Sequence, residues 1–139
     1  IHCLKAWGRL LELLEQGPVP ARGFLLHSYG GSAEMIVPLA KLGAYFSFPG
    51  YYMREAKGRQ REAFTQVPPD RLLIETDAPD QLLPEEYQEH TLNDPEGNPI
   101  NHPANLRGVY RFMAGMLAEP LEKLEAQVEE NFLRLFEGL

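Results

Sequence analysis

Three side chains able to hold a cation or move a proton stand at the ends of apolar runs. His2 follows Ile1, His27 follows Phe24-Leu25-Leu26, and Asp77 follows Leu72-Leu73-Ile74-Glu75-Thr76. Two imidazoles and a carboxylate converging on one point would make a reasonable site for a divalent metal. Glu75 precedes Asp77 by two residues, so on a strand both would point the same way. Paired carboxylates could share a metal or a proton. Equally, Glu75 could form an internal ion pair with an arginine across a barrel. Taken singly, a strand-end histidine is more often a hydrogen-bonded structural residue, and an aspartate before a loop is often a cap or turn residue. Three of them at equivalent positions in successive units carry the chemical reading. The turn His27-Ser28-Tyr29-Gly30-Gly31-Ser32 leads into a helix, where backbone N–H groups could face an anion. Beside a metal, that turn would suit a phosphate ester. Ser28, Tyr29, Gly30 and Glu75 are then the candidate substrate contacts.

The elements that must position these groups alternate. Leu4, Trp7, Leu10, Leu11 and Leu14 fall at helical spacing over residues 4–16, and Gly17-Pro18-Val19-Pro20 ends the pattern. Gly23 to His27 is a short continuous apolar run, the pattern of a strand buried on both faces. Ser32 is placed to cap a helix over 33–42, with Gly43 closing it and Pro38 able to kink it. Residues 44–48 predict a strand, 53–66 a polar helix, and 71–76 another strand. Strands alternating with helices mean βα units and a parallel sheet. Residues 78–103 hold five prolines and several Asn and Asp, which predicts a long irregular loop, and such loops in compact domains are usually functional or mobile. Two helices, over about 103–118 and 120–137, close the chain, with Pro120 at a favoured starting position. At the C-terminal edge of parallel strands in an α/β barrel, the βα loops gather around one mouth, and His2, His27 and Asp77 all fall there.

The bulk numbers set bounds. The 139 residues are 44 % hydrophobic and 24 % charged, the balance of one globular domain with a core. A net charge of -7 argues against a broad basic nucleic-acid surface, although a bound divalent metal would bring its own positive charge. Arg54, Lys57, Arg59 and Arg61 form one local basic cluster, read first as a solvated helix face and second as a phosphate contact. The single cysteine, Cys3, allows no internal disulfide and suits a reducing, cytoplasmic setting. No apolar run is long enough to span a bilayer and no secretory signal is visible, so no membrane partner is expected. An opening on Ile1-His2 without methionine suggests a fragment, a processed chain or a truncated one.

Taken in order, the segments Ile1-His2-Cys3, Leu26 to Ser32, Tyr45-Phe46-Ser47-Phe48-Pro49-Gly50, Leu73-Ile74-Glu75-Thr76-Asp77-Ala78-Pro79, Asn101 to Leu106 and Asn131 to Phe136 resemble the motifs of TatD-like metal-dependent hydrolases. The resemblance implies an α/β fold. Residues 1–139 would be a single partial domain, the second half (strands five to eight) of a TIM-type (β/α)8 barrel of the amidohydrolase superfamily, followed by two C-terminal helices. It implies a deoxyribonuclease-like hydrolase that cleaves phosphodiester bonds in DNA with a metal-activated water. His2, His27 and Asp77 would bind the divalent ion (Mg, Mn or Zn), and Asp77 would also be catalytic, handling the water's proton. The family's first metal motif, His-x-His, and a bridging glutamate belong to the N-terminal half and are absent here. His102 stands where glutamate is common, and Asp80 where an aromatic residue is frequent.

Half a barrel would expose strand edges and an apolar interior, including parts of Leu25, Phe46 and Leu73. The missing half is therefore expected in cis, or failing that from another chain, and the 139 residues alone are expected to be inactive. Two alternatives stand beside the nuclease: an inert half-barrel serving as an interaction module, and an amidohydrolase-type enzyme acting on amides or lactones.

Overall fold

The computed structural model describes residues 1–137; the last two residues of the expected domain lie outside it. Three parallel strands form the central sheet in the order β1 (Phe24–Leu26), β2 (Ala44–Pro49), β3 (Leu72–Glu75). Phe24 pairs with Ala44 and Phe46 with Leu72, so the three C-terminal ends come out on one side. The strand expected near residues 1–2 is reduced to one parallel bridge, His2 to His27, supported by His27 N–H donating to Ile1 C=O at 2.9 Å. Every residue of β2 is buried, as a central strand covered on both faces requires.

Helix α1 (Trp7–Gln16) ends at Gly17 as its sequence predicts, but it begins later, leaving Leu4 exposed. Trp7 packs edge-on against Tyr29, with ring centroids 4.6 Å apart. The helix expected over 33–42 is split. A 3-10 turn, Ala33–Met35, precedes α2 (Ile36–Lys41), and the Ser32 side chain does not cap it. Pro38 sits as the third residue of α2, where its missing N–H costs no internal bond. The single polar helix expected over 53–66 is also a correction. Two 3-10 turns, Gly50–Met53 and Glu55–Lys57, come first, and only Gly58–Phe64 is helical, α3.

The segment 78–103 is more ordered than its composition suggests. It contains a 3-10 turn at Glu85–Tyr87 and a small antiparallel hairpin of β4 (Leu92–Asn93) and β5 (Pro99–Ile100). Asp94 closes the hairpin by accepting the Asn98 N–H at 2.8 Å, and Gly97 takes a positive φ of 87° there. Two glycines let this segment lie close on the sheet and helices. A Cβ on Gly50 would sit 2.0 Å from a Leu83 methyl, and one on Gly108 would sit 2.6 Å from the Tyr87 carbonyl oxygen.

The C-terminal helices are α4 (Leu106–Leu117), entered through a 3-10 turn at Pro103–Asn105, and α5 (Leu121–Phe136). Buried Asn131 of α5 donates to the carbonyls of Pro69 and Leu72 at 2.7 and 2.9 Å, fastening the helix to the start of β3. Val109, Met113, Leu124, Val128 and Leu135 join Phe46, Phe48, Phe64 and Leu72 in one continuous core. One face stays open. Leu25, Leu73, Ile74, Tyr110, Phe132 and Phe136 line a mainly apolar hollow of about 450 Å³, and Phe132 is 52 % exposed.

Candidate metal centre

His27 follows the last residue of β1, Glu75 ends β3, and Asp77 lies two residues further on. Their ligand atoms all fall within 4.8 Å of one another. His27 Nε2 is 2.9 Å from Asp77 Oδ1 and 3.4 Å from Glu75 Oε2. One imidazole nitrogen and two carboxylates form a mixed nitrogen and oxygen donor set, which fits a borderline or hard divalent cation. The structure thus brings together two of the three expected ligands, His27 and Asp77, and adds Glu75. The alternative partner for Glu75, an arginine, is not found among the described residues; its neighbours are Ser28 and His27.

His2 lies on the other side of the His27 ring. Its Nδ1 is 3.2 Å from His27 Nδ1, and it lies outside the three-residue cluster. A hydrogen bond there couples the tautomers of the two rings and leaves His27 Nε2 directed at the carboxylates.

Ser28 supports both acids. Its hydroxyl lies 2.5 Å from Glu75 Oε1 and 3.1 Å from Asp77 Oδ2, and its single proton serves one of them at a time. Burial raises the Glu75 pKa above the ordinary carboxylate range, with the charge of Asp77 adding to it; hydrogen bonds from Ser28 and Ser47 and the nearby His27 oppose the rise. Ser28 and Asp77 both take left-handed backbone, at φ 47° and 58°, a conformation that non-glycine residues hold only when their surroundings impose it.

Those surroundings include residues that strand-end reasoning does not reach. Ser47, buried in β2, accepts the Ser28 N–H at 3.1 Å. Tyr52 donates its hydroxyl proton to the Ser28 carbonyl at 2.9 Å, and its pKa is pushed up to about 12, first by burial and then by Glu75 and Asp77. Asn101, fully buried, donates from Nδ2 to the carbonyls of Thr76 (2.9 Å) and Gln81 (3.3 Å), and its N–H donates to Pro79 C=O at 2.8 Å. It ties down both ends of the loop that carries Asp77. The one sequence signal for it was the Asn-His-Pro segment.

Two expected substrate contacts sit elsewhere. Tyr29 is a correction. The left-handed turn at Ser28 rotates the next side chain into the core, where Tyr29 is fully buried and packs edge-on against Trp7 and Phe46. Its hydroxyl donates to Ser32 C=O, and burial raises its pKa. Gly30 is exposed and lines a separate polar pocket of about 330 Å³ with Gly31, Ser32, Arg59 and Gln60, whose lining includes none of His27, Glu75 and Asp77. His102, in the Asn-His-Pro segment, also lies apart. It accepts the Ala104 N–H and stacks on His90, with centroids 5.2 Å apart.

Residues 1–137 match the profile of TatD related DNase. A 3'-5' ssDNA/RNA exonuclease TatD of Klebsiella pneumoniae is 33 % identical over 137 residues, and an uncharacterized metal-dependent hydrolase, YcfH, of Escherichia coli is 33 % identical over 136. Each alignment covers 98 % of this chain but 50 % and 48 % of the relative, so the chain spans about half the length of the curated relatives it matches. Among solved structures, the TatD homolog YJJV of Escherichia coli superimposes with a TM-score of 0.81 at 22 % identity over 99 % of this chain and 49 % of that one. A TatD family hydrolase from Entamoeba histolytica gives 0.79 at 19 % identity over 99 % and 50 %.

Proposed function

This chain belongs to the TatD-related DNase family, and from that premise we propose that it carries the C-terminal part of the active site of a metal-dependent phosphodiesterase acting on DNA. The observation that supports the reading best is the convergence of His27 Nε2, Glu75 and Asp77 within 4.8 Å at the ends of two parallel strands. His27, Glu75 and Asp77 would hold the divalent ion, with His2 orienting His27 or completing the ligand set from its other side. When bound, the metal supplies Lewis acidity, lowering the pKa of a water and drawing charge from the phosphoryl oxygens.

The chain's own residues supply the remainder. Asp77 would accept the proton of the attacking water through Oδ2, the oxygen that Ser28 rather than His27 contacts. Ser28 holds Glu75 and Asp77 side by side, and Tyr52 and Ser47 fix Ser28 in its left-handed turn. Preformed geometry of this kind spares reorganisation during reaction.

In this reading residues 1–137 supply the fifth to eighth strands of a (β/α)8 barrel, the first of them shortened to the His2 bridge. The other strands come from the same protein, or failing that from a second chain, and cover the hollow lined by Leu25, Leu73 and Phe132. That hollow is also what favours the second reading, an interaction module. The lone Cys3 suits a reducing, cytoplasmic compartment. No helix among the described residues is long and apolar enough to cross a membrane.

A substrate screen tests the assignment. The full-length protein loaded with Mg2+, Mn2+ or Zn2+ is expected to hydrolyse phosphodiesters, including DNA oligonucleotides, and to leave amides and lactones intact. Turnover confined to amides or lactones would replace this reading, and binding of no divalent ion at all would favour the interaction module.

A further inference from the structure

Beside the triad lies a cationic aromatic patch that the metal chemistry does not use. Tyr51, Arg54 and Lys57 follow β2, the strand between β1, which His27 follows, and β3, which ends in Glu75. Lys57 Nζ is 4.5 Å from the Tyr51 ring centroid, and the Arg54 guanidinium carbon is 5.5 Å from it. The patch is joined to the site on two sides. The Tyr51 ring is 6.4 Å from that of Tyr52, whose hydroxyl holds Ser28. Arg54 donates to Leu82 C=O at 2.9 Å, in the loop that follows Asp77.

The charges here are unusual for an acidic chain. Of the four cations between residues 54 and 61, none forms an ion pair with a carboxylate among the described residues. Arg61 is taken up by the carbonyls of Tyr52, Arg54 and Glu55, so it shapes the turns. Arg59 lines the separate polar pocket with Glu34 and Glu62. Arg54 and Lys57 are left facing an aromatic ring. Two uncompensated cations around a partly exposed ring suit a polyanion with flat bases, and a ring stacks only on a base that is unpaired. Lys57 has a flexible four-carbon stem and can leave the ring for a phosphate when a base takes its place.

We propose that Tyr51, Arg54 and Lys57 form a strand-holding subsite for single-stranded nucleic acid. Tyr51 stacks one unpaired base while Arg54 and Lys57 hold the adjoining phosphates, which leads the strand toward the triad. The proposal rests on the phosphodiesterase reading, but strand binding can be read without metal or turnover.

The test is fluorescence anisotropy of a labelled oligothymidylate with the full-length protein in EDTA. Tyr51→Ala is expected to weaken binding about 10-fold, and Tyr51→Trp to retain it. The Arg54→Ala/Lys57→Ala double variant should lower the slope of log affinity against log salt by about 1.4, the value for two phosphate contacts on a single strand. Binding of a duplex of the same length should not respond to Tyr51→Ala, and melting temperatures should match wild type. Unchanged oligothymidylate affinity in all variants, or equal losses for single strand and duplex, would overturn the subsite. Turnover of bis(4-nitrophenyl) phosphate, which has no strand, separates the two ideas. Normal turnover without patch-dependent binding removes the subsite alone. Patch-dependent binding without turnover of any phosphodiester removes the phosphodiesterase reading and leaves the subsite standing.

Discussion

Replacing Asn101 by alanine removes a side chain that touches no candidate ligand yet ties down the loop bearing Asp77. Its Nδ2 donates to Thr76 C=O at 2.9 Å and to Gln81 C=O at 3.3 Å, and its Oδ1 accepts from Asn105 at 3.3 Å. The first bond has ordinary geometry and is worth about 1 kcal/mol net; the longer two are worth less. The half-buried Thr76 carbonyl, left unpaired, adds a penalty of about 1–3 kcal/mol, whereas Gln81 is exposed and water replaces its bond. The sum is a loss of about 2–4 kcal/mol, shared between global stability and the local order of residues 76–81. If about 1.4 kcal/mol of it falls on the loop, the metal-competent placement of Asp77 becomes ten times rarer, and affinity falls with it. The assay is calorimetric titration with Mn2+ or Zn2+ on the full-length protein, alongside thermal unfolding without metal. Asn131→Ala is the control. That side chain is also fully buried and donates two bonds to carbonyls, but it fastens α5 to β3, away from the site. Both variants should lose comparable stability, and Asn101→Ala alone should lose about 10-fold in metal affinity. Equal affinity in both would refute the role given to Asn101.

Further expectations concern the acids, the histidines and one glycine. Glu75 has a raised pKa in the fold, so its contribution to stability is fully present below the unfolded carboxylate value and is lost as pH rises through the folded one. Metal-free Glu75→Gln should therefore melt higher than wild type at pH ~7 and show a flatter pH dependence in EDTA; a lower melting temperature would contradict the burial argument. His27→Ala should abolish measurable binding at the triad, whereas His2→Ala should cost about 10-fold, as loss of an orienting partner does; equal and complete loss would make His2 a direct ligand. Gly108→Ala drives a methyl against the Tyr87 carbonyl and should destabilise by about 1–3 kcal/mol in thermal or urea unfolding.

The strands and their polar ends were legible because a buried parallel strand is a bare apolar run, so His27 and Asp77 stand out where Leu26 and Thr76 stop. Pairing Glu75 with Asp77 by period two was also open to reading. What alternation could not show is what happens at Ser28. A left-handed residue breaks the period, so Tyr29 enters the core although Ser28 before it lines the site. Ser47, Tyr52 and Asn101 are likewise out of reach of local pattern, since their partners lie 19, 24 and 25 residues away. The polar stretch 53–66 has no apolar period strong enough to place a break, and Arg61 bonding to three carbonyls sets the turns that α3 follows. The hairpin within 78–103 did leave a signal, Asp94-Pro95-Glu96-Gly97-Asn98, whose Asp and Gly are turn formers.

The most direct test of the account is the turnover of a single-stranded oligonucleotide by the metal-loaded full-length protein, wild type against Asp77→Asn. Asparagine keeps the size of the side chain and a ligand oxygen but cannot take up the water's proton. A fall in kcat of at least about 100-fold, the typical contribution of a positioned general base, is expected with the metal still bound. A kcat equal to wild type, with metal bound in both proteins, would contradict it.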